Sequence, residues 1–565
     1  MYKSLNIGKN KLGDKGQIIT GITTGKNDIF LKLWHELSRN KINLDLINIS
    51  DFSENKNWIP YSKGGNFRKW YGNLEYFVNW NRKTEFNRSK TTLQHLYFKE
   101  GFTWSFITTG KFNARILPKG FLWDVAGSPA IFENDKQKYS YLALVNSNLC
   151  QKILDIFNPT MNYQSIDVQN IPLDDNILNT NISEITENCY SISKKDWDSR
   201  EISWDFEQSP LLGIREQGVV ESDKGFVDRE KGLGNSGKGS VSLKAAYEAW
   251  VAEVSQDFFQ LHTNEEELNR IFIDIYGLQD ELTPEVALKD ITILQDELKA
   301  EDLEALEPAF RAGEKVVLPI QANVVMQQFL SYLVGTLLGR YRLGRKGLHI
   351  AHPNPTDEEL APYPVDNVAL PFQMEIDEDA IIPIMGSTCA FPDDAVKRVD
   401  DIIHRIWGDA SHTENLNFIN QCLGMDYEKW MCEQFWAYHI SGTMYKKKPI
   451  YWLFCSNPKS PQKSAFRVLV YMHRMDAYTV QKILRNYLHP HIEYVKGKYE
   501  EMHANEANLT KQEFKAYENL AKQISELKEY EQKLKEVANQ QITFDLDDGV
   551  KVNYAKFEGV VAVIK

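Results

Sequence analysis

The hydrophobic and polar positions predict mixed α and β structure over the first third of the chain. QIITGITTG, residues 17–25, has the pattern of a strand followed by a turn. In the next segment, KNDIFLKLWHEL, the apolar residues recur at helical spacing: Ile29, Phe30, Leu33, Trp34 and Leu37. We therefore expect a strand, a turn and a helix to open an α/β region that extends to residue 180.

The middle of the chain begins with a polar segment and continues with segments that have helical patterns. Residues 205–240 are rich in Gly, Ser and charge and poor in large aliphatic residues, so 181–242 is predicted to be a linker and loop. Two helices are expected next, the second of them capped by Asn264, and MQQFLSYLVGTLLGRYRLG predicts a further apolar helix. Residues 243–350 are accordingly predicted to form a helical spacer.

The last third mixes both patterns. Residues 351–477 contain two strand-like segments, KPIYWLFCS and AFRVLVYMHR, and are predicted to be α/β. Residues 478–540 predict an antiparallel coiled-coil hairpin broken near 505–508, because apolar residues keep a 4/3 spacing along its second half: Leu520, Ile524, Leu527, Leu534 and Ala538. The DDG signal in 541–565 predicts a carboxyl-terminal β-hairpin. The fold class is therefore α+β, or mixed α/β multidomain.

Charge is distributed unevenly along the chain. The net charge is -13, yet residues 56–120 hold twelve Lys/Arg and three Asp/Glu, together with fifteen aromatic residues. Lys and Arg that neutralise phosphates release condensed counterions, and aromatic or Arg planes stack on bases. This local surplus predicts a nucleic-acid contact within 1–180, which we interpret as a DNA target-recognition domain.

The residues predicted to contact DNA form three groups. Lys63, Arg68, Lys69, Trp70 and Tyr71 surround a Gly-Gly turn, and at least one of the two aromatics is expected in the core. A basic loop supplies Arg82, Lys83 and Arg88, for which an exposed loop of incidental charge is an equal alternative. Strand alternation places Lys111, Asn113 and Arg115 on one face, suited to base edges or phosphates.

A fourth segment is a turn before the first predicted helix. Thr24, Gly25, Lys26 and Asn27 either bind a phosphate at the helix N-terminus or form an ordinary N-cap. No catalytic, cofactor-binding or metal-ligating residue is predicted. The six cysteines are far apart without a CxxC pair, and no apolar run is long enough for a membrane span, so a cytoplasmic location without membrane contact is expected.

Five segments in order resemble the target-recognition region of a known family. They are GITTGKNDIFLKLWHE, WIPYSKGGNFRKWYGN, EYFVNWN, YFKEGFTWSFITTGKFNARILPKGFLWDVAGS and NPTMNYQSIDVQNIP. The family is PglX, the adenine-specific DNA methyltransferases of type 1 BREX phage defence. NEEELNRIFIDIYGLQDELTPEV, SYLVGTLLGRYRLG and DLDDGVKVNYAKF resemble its carboxyl-terminal half. The resemblance implies double-stranded DNA as partner and S-adenosylmethionine as the cofactor of the complete enzyme.

Two catalytic motifs of the family are missing from the sequence. Amino-methyltransferases need a Gly-rich loop after a strand and an Asn/Asp-Pro-Pro-Tyr/Phe motif that holds the flipped base. The Asn-Pro pairs begin at Asn158, Asn354 and Asn457, and none continues with Pro and an aromatic residue. The chain is therefore expected to bind DNA without methylating it and to bind no cofactor itself. The alternatives are a subunit of a split methyltransferase completed in trans, or a protein-interaction module of the defence complex.

Overall fold

The chain folds into two compact units of α+β structure. The computed structural model describes residues 10–108, 110–158, 160–179, 181–213 and 242–565. The first unit comprises Met1–Trp34, Arg39–Ser203 and Val251–Gln321, and the second comprises His35–Ser38, Trp204–Trp250 and Ala322–Lys565. These units are assembled from separated segments, so they differ from the six consecutive regions that the sequence predicts.

The first unit is built on two four-stranded sheets. One has the order β2-β9-β6-β7 and the other β3-β5-β4-β8, with all pairs antiparallel except β4 with β8. The short strands β1 and β10 pair separately. The strands are β1 Asn10–Lys11, β2 Gln17–Ile18, β3 Leu31–Leu33, β4 Trp58–Ser62, β5 Tyr76–Asn79, β6 Gly101–Trp104, β7 Ala114–Leu117, β8 Leu122–Trp123, β9 Pro129–Ile131 and β10 Pro172–Leu173.

Helices complete the first unit. They are α1 Leu12–Lys15, α2 Asn27–Phe30, α3 Asp135–Val145, α4 Asn148–Phe157, α5 Ser165–Gln169, α6 Ile182–Asp198, α7 Leu243–Tyr276 and α8 Ala300–Arg311, of which the first eight residues of α7 belong to the second unit. Side chains cap two of them: Asn134 accepts from the Gln137 N–H at α3, and Ser147 accepts from the Cys150 N–H at α4. Since β4 is buried at all of its five positions, its sheet is covered on both faces.

Three predictions about these elements are wrong. The helix expected at 26–37 stops after Phe30, because Leu31–Leu33 pairs with β5 instead. The region 181–242 is not all linker, since α6 occupies 182–198 and packs on α3. Asn264 caps no helix, because α7 runs unbroken through it for 34 residues. The remaining part of the predicted linker, 214–241, lies outside the described residues.

The second unit has a small sheet surrounded by helices. β13 Ile381–Pro383, β15 Arg467–Tyr471 and β14 Tyr451–Cys455 form an antiparallel sheet in that order, and β11 Tyr363–Val365 pairs with β12 Phe372–Met374. Both strands predicted in this region are confirmed as β14 and β15. The helices are α9 Ala322–Leu337, α10 Asp357–Leu360, α11 Ala395–Trp407, α12 Asp409–Leu423, α13 Tyr427–Glu433, α14 Phe435–His439, α15 Thr479–Lys482, α16 His489–Ala504, α17 Lys511–Asn539 and α18 Val550–Ala555.

A buried arginine lies among aromatic rings in the core of the second unit. Arg340 donates from Nε to the Tyr341 hydroxyl at 3.2 Å and from Nη1 to the Tyr471 hydroxyl at 3.1 Å. Nearby, His439 Nε2 accepts the Tyr451 backbone N–H at 3.1 Å. Burial, and then the charge of Arg340, lower the pKa of His439 to about 3. This imidazole is therefore neutral at ordinary pH, as its role as an acceptor requires.

The two long helices near the carboxyl terminus form the predicted antiparallel hairpin. α15, a π-helical segment Ile483–Leu488 and α16 follow one another directly, and α17 packs back on α16 after a break at 505–510. Along the predicted seam Leu527, Leu534 and Ala538 are buried, whereas Leu520 and Ile524 are only half-buried. Continuous coiled-coil packing over the whole seam stays a prediction.

The β-hairpin predicted for 541–565 is wrong. Its DDG signal lies in a 3-10 turn, Leu546–Asp548, that leads into α18. Asp545 accepts from the Asp547 N–H at 3.0 Å, and Gly549 has φ +80°, so the same residues serve a helix start. Within the described part of the chain, none of the helices has the length and apolar character needed to cross a lipid bilayer.

Candidate nucleic-acid interface

The first predicted DNA-binding group lies in the core of the first unit. Lys69 Nζ donates to Glu265 Oε2 at 2.6 Å, and Trp70 Nε1 donates to Glu265 Oε1 at 2.7 Å. Lys69 is only 6% exposed and Glu265 only 3%. One carboxylate from α7 therefore binds two neighbouring residues of the basic segment and neutralises the cation.

Arg68 belongs to a second buried ion-pair network. Its Nη1 lies 3.2 Å from Asp196 Oδ2, while Arg200 Nη2 lies 2.9 Å from Asp196 Oδ1 and 2.6 Å from Glu297 Oε2. Burial raises the pKa of Asp196, but Arg200 and then Arg68 lower it further than burial raises it, so the pKa is below its ordinary value. The Arg68 guanidinium also lies 5.0 Å from the centre of the Trp197 ring.

Two further lysines of the predicted site are more exposed, and each forms an ion pair with a carboxylate. Lys63 Nζ is 2.7 Å from Asp124 Oδ2, and its side chain is 23% exposed. Lys111 Nζ is 2.7 Å from Asp290 Oδ2, and its side chain is 49% exposed. Each lysine therefore has its charge balanced within the unit, although Lys111 remains open to solvent.

Asn113 and Arg115 are almost wholly buried. Arg115 Nη1 donates to Ser105 Oγ at 3.3 Å and to Asn113 Oδ1 at 3.4 Å, while its Nε and Nη2 have no hydrogen-bond partner among the described residues. Burial, and then the charge of Arg68, lower the pKa of Arg115 to about 9. Asn113 and Arg115 do share one face, as alternation predicts, but that face points inward.

The predicted surface position is thus wrong for a set of six residues: Arg68, Lys69, Trp70, Tyr71, Asn113 and Arg115. Tyr71 is buried against Tyr190, with ring centres 5.5 Å apart. For Arg68 and Lys69 the physical reason is that Asp196 and Glu265, far along the chain, neutralise the cations and so offset the cost of burial, whereas Arg115 is buried without a carboxylate partner in the described chain. The expectation that at least one of Trp70 and Tyr71 is a core residue is confirmed for both.

The remaining predicted residues, apart from the buried Thr24, lie on the outside of the first unit. The basic loop and the turn at Thr24–Asn27 are joined by backbone hydrogen bonds in both directions between Thr23 and Arg88, each 3.0 Å long. The outer basic surface, as we call it, consists of Lys26, Arg82, Lys83, Arg88 and Lys90, which are all exposed or half-buried. The structure thereby brings together two segments that the sequence analysis treats separately.

Packing orders this outer basic surface in part. The Arg82 guanidinium lies 4.9 Å from the centre of the Phe30 ring and makes two hydrogen bonds of 2.7 Å to Glu85. The pKa of Glu85 is lowered, chiefly by the hydrogen bond from Arg82 and also by the charge of Lys26. Burial and then the charge of Arg88 lower the pKa of Lys90. Arg82 and Lys26 therefore both act on the Glu85 carboxylate, while Arg88 and Lys90 lie close enough to influence each other.

The turn is closed by a hydrogen bond between two side chains, but its N-cap residue, Lys26, makes no side-chain cap to α2. Thr24 Oγ1 donates to Asn27 Oδ1 at 2.7 Å, and α2 beyond it has four residues. Gly25 has φ +83°, and a side chain there would meet Asn87 at 2.5 Å. Glycine is therefore required at this position by both conformation and space. Lys90 belongs to the same predicted basic loop as Arg82, Lys83 and Arg88, and it lies half-buried beside them.

Comparison with known proteins gives two similar chains. No protein-family model matches. The chain is 34% identical over 570 residues to an adenine-specific methyltransferase PglX of Lacticaseibacillus casei (strain Zhang), and 31% identical over 579 residues to an adenine-specific methyltransferase BrxX of Escherichia coli O9:H4 (strain HS). Each match covers 96% of this chain and 42% of the relative, so the chain spans less than half the length of these proteins. As its ordered motifs predict, the chain is related to the PglX-type adenine-specific methyltransferases.

Proposed function

We propose that the chain recognises DNA for a BREX-type adenine-N6 DNA methyltransferase. The observation that carries this proposal is the similarity of almost the whole chain to two proteins named as adenine-specific methyltransferases. DNA is the natural partner of such a protein, and a recognition unit needs cations that reach phosphates. The outer basic surface supplies them on one side of an otherwise acidic chain.

Binding would begin with phosphate contacts that orient the first unit on the duplex. Arg88 and Lys26 are exposed, and neither forms an ion pair in the described part of the chain, so each can neutralise a phosphate directly. Arg82 is held by Glu85 and Phe30, which limits its motion and favours one approach to the backbone. Lys63, Arg68, Lys69, Asn113 and Arg115 instead stabilise the unit that presents this surface.

The chain's own residues do not fit methyl transfer. Of the three Asn-Pro sites, Asn158 uses its side chain locally, since Nδ2 donates to Asp167 Oδ2 at 2.8 Å and Oδ1 accepts from the Thr160 N–H at 3.0 Å. An adenine amino group would have to displace these bonds. The Gly-rich segment 232–240 lies outside the described residues. S-adenosylmethionine and the transfer step are therefore assigned to the rest of a family enzyme.

Two other functions follow from specific observations. One is a subunit of a split methyltransferase completed in trans, which the similarity to two proteins named as adenine-specific methyltransferases also fits. The other is a protein-interaction module of the defence complex, which the largely exposed tip of the helical hairpin, residues 500–519, favours. The first alternative includes DNA binding, whereas the second does not.

Salt dependence of DNA binding tests the proposal. Fluorescence anisotropy with a 30-base-pair duplex, taken as a probe of about three helical turns, is measured over a series of KCl concentrations. The logarithmic slope should reach several units and should fall by roughly 3 when Lys26, Arg82, Lys83 and Arg88 are all changed to Glu. The matched control changes four exposed lysines of α17 to Glu: Lys511, Lys515, Lys522 and Lys528. A wild-type slope near zero contradicts DNA recognition and supports the interaction module.

A further inference from the structure

A small pocket in the second unit has a mostly apolar wall, one buried arginine, and the polar residues Glu433 and Gln462 in its lining. Its volume is about 60 Å³, and it lies between the β14–β15 strands, the α13–α14 helices and the 3-10 turn Pro461–Lys463. Most of its wall is contributed by apolar side chains: Ile384, Met431, Phe435, Trp436, Leu453 and Leu469. Arg467, at the start of β15, is the cationic member of the lining.

The Arg467 guanidinium is buried without a counter-charge. The residue is 8% exposed, and its Nη1 donates to the Cys432 carbonyl oxygen. Its Nε is buried and has no hydrogen-bond partner, and no carboxylate of the described chain forms an ion pair with it. This contrasts with Arg200, which is equally buried and bonds both Asp196 and Glu297. A buried charge left unpaired is costly, so an anion from outside would complete the site.

The orientation of the Arg467 N–H groups that lack an acceptor indicates which kind of anion fits the pocket. Because Nη1 is engaged by Cys432, the edge formed by Nε and Nη2 is left, and this edge presents two parallel N–H groups. A carboxylate accepts such a pair in the bidentate, side-on manner. We propose that the pocket binds a carboxylate group attached to a short apolar stem, with Arg467 as its anchor.

Size and surrounding charge agree with this ligand. A volume of 60 Å³ corresponds to about two water molecules at ~30 Å³ each, enough for a carboxylate and one or two carbons. The mouth is formed by residues that are exposed, Glu433, Ala437 and Gln462. The negative charge of Glu433 opposes dianions such as phosphate. The carboxylate belongs either to a free short-chain acid or to a protein side chain or chain terminus, and both share this chemistry.

Saturation-transfer NMR with propionate tests the proposal, and propionamide is the uncharged match. The full chain should show saturable propionate binding with a Kd on the order of 1 mM, because so few atoms make contact. Propionamide should bind at least tenfold more weakly. Arg467→Lys keeps the positive charge but loses the two parallel N–H donors, and it should weaken propionate binding at least tenfold. Circular dichroism and the thermal midpoint confirm that each variant is folded.

A second variant leaves the arginine untouched. Ala437→Phe fills the mouth from an exposed helical position, and it should also abolish propionate binding, whereas Lys463→Gln on the neighbouring turn should not. Any one of three results would overturn the proposal: propionate and propionamide bind equally well, propionate binding does not saturate, or Ala437→Phe binds propionate as well as the unchanged protein does. A peptide ending in a free carboxylate, compared with its amidated form, separates the sources: competition assigns the site to a protein carboxylate, and its absence to a free acid.

Discussion

Lys69 and Glu265 are separated by 196 positions in the sequence, yet Lys69 Nζ lies 2.6 Å from Glu265 Oε2 inside the first unit. Both side chains are less than a tenth exposed. The pair therefore fixes a loop of the sheet region to α7, which begins at Leu243, and the same carboxylate also accepts the Trp70 indole N–H. A cation that appears suited to a phosphate is thus part of the core.

Removing one partner of this pair should destabilise the protein. Lys69→Met leaves the Glu265 carboxylate buried and unpaired, and it should lower the free energy of unfolding by about 3–5 kcal/mol. Urea unfolding followed by circular dichroism measures the change. Lys119→Met, at an exposed position, should cost less than about 0.5 kcal/mol. The double variant Lys69→Met with Glu265→Gln should recover part of the loss, and a single-variant cost below that of Lys119→Met would contradict the core role.

Single substitutions on the outer basic surface should have opposite effects on DNA affinity. Arg88→Ala removes one unpaired cation and should reduce the salt slope by about 0.9. Glu85→Gln removes the carboxylate that holds Arg82, so it should strengthen binding several-fold at low salt. Anisotropy titrations at two salt concentrations distinguish the two. Asp51→Asn, another exposed carboxylate of the same unit, is the control, and an equal gain from it would show a general charge effect.

Stability should fall in mild acid because of His439. Its folded-state pKa is lowered to about 3, whereas the unfolded value is about 6.5. The unfolded chain therefore takes up a proton first, and stability that is present above about pH 6.5 is lost as the pH falls towards 3. His439→Gln retains a side-chain acceptor but does not titrate. The difference in unfolding midpoint between pH 7.5 and pH 5 should be smaller in this variant, and an unchanged difference would assign the acid sensitivity to other groups.

The base of the helical hairpin should contribute strongly to stability. Leu534 of α17 is fully buried, so Leu534→Ala should cost about 2–5 kcal/mol by leaving a cavity. Lys533→Ala, at the exposed position beside it, should change stability by less than about 0.5 kcal/mol. Thermal and urea unfolding of both variants measures the contrast. Equal, small effects would mean that the hairpin does not pack as described.

The local sequence pattern was enough to predict the helices and strands that are marked by their own apolar residues. The strands β14 and β15, the helix α9 and the break between α16 and α17 all follow from apolar runs or periodicity. The helix expected from Ile29 to Leu37 does not form over that length. Leu31–Leu33 pairs with Tyr76–Val78 as a β-strand, and this pairing outweighs the helical spacing of five apolar residues. Pairing across 45 positions leaves no trace in a local window.

The same limit applies to the candidate site: the basic segment could be predicted from the sequence, but the exposure of its individual residues could not. The charge surplus of residues 56–120 is real, but three of its counter-charges, Asp196, Glu265 and Asp290, lie far along the chain, and a local sequence window does not associate them with it. Arg82 and Arg88 remained outside because their segment has no such distant partner in the described chain. The sequence therefore predicts a basic region correctly, while only folding decides which cations are neutralised within it.

The first unit is discontinuous along the chain, and this has a practical consequence. A fragment cut at residue 180, where the sequence suggests a boundary, would lose the three distant carboxylates and leave Arg68 and Lys69 without their ion-pair partners. Such a fragment should aggregate. Moving the outer basic surface into another protein would therefore require all three segments of the first unit together: Met1–Trp34, Arg39–Ser203 and Val251–Gln321.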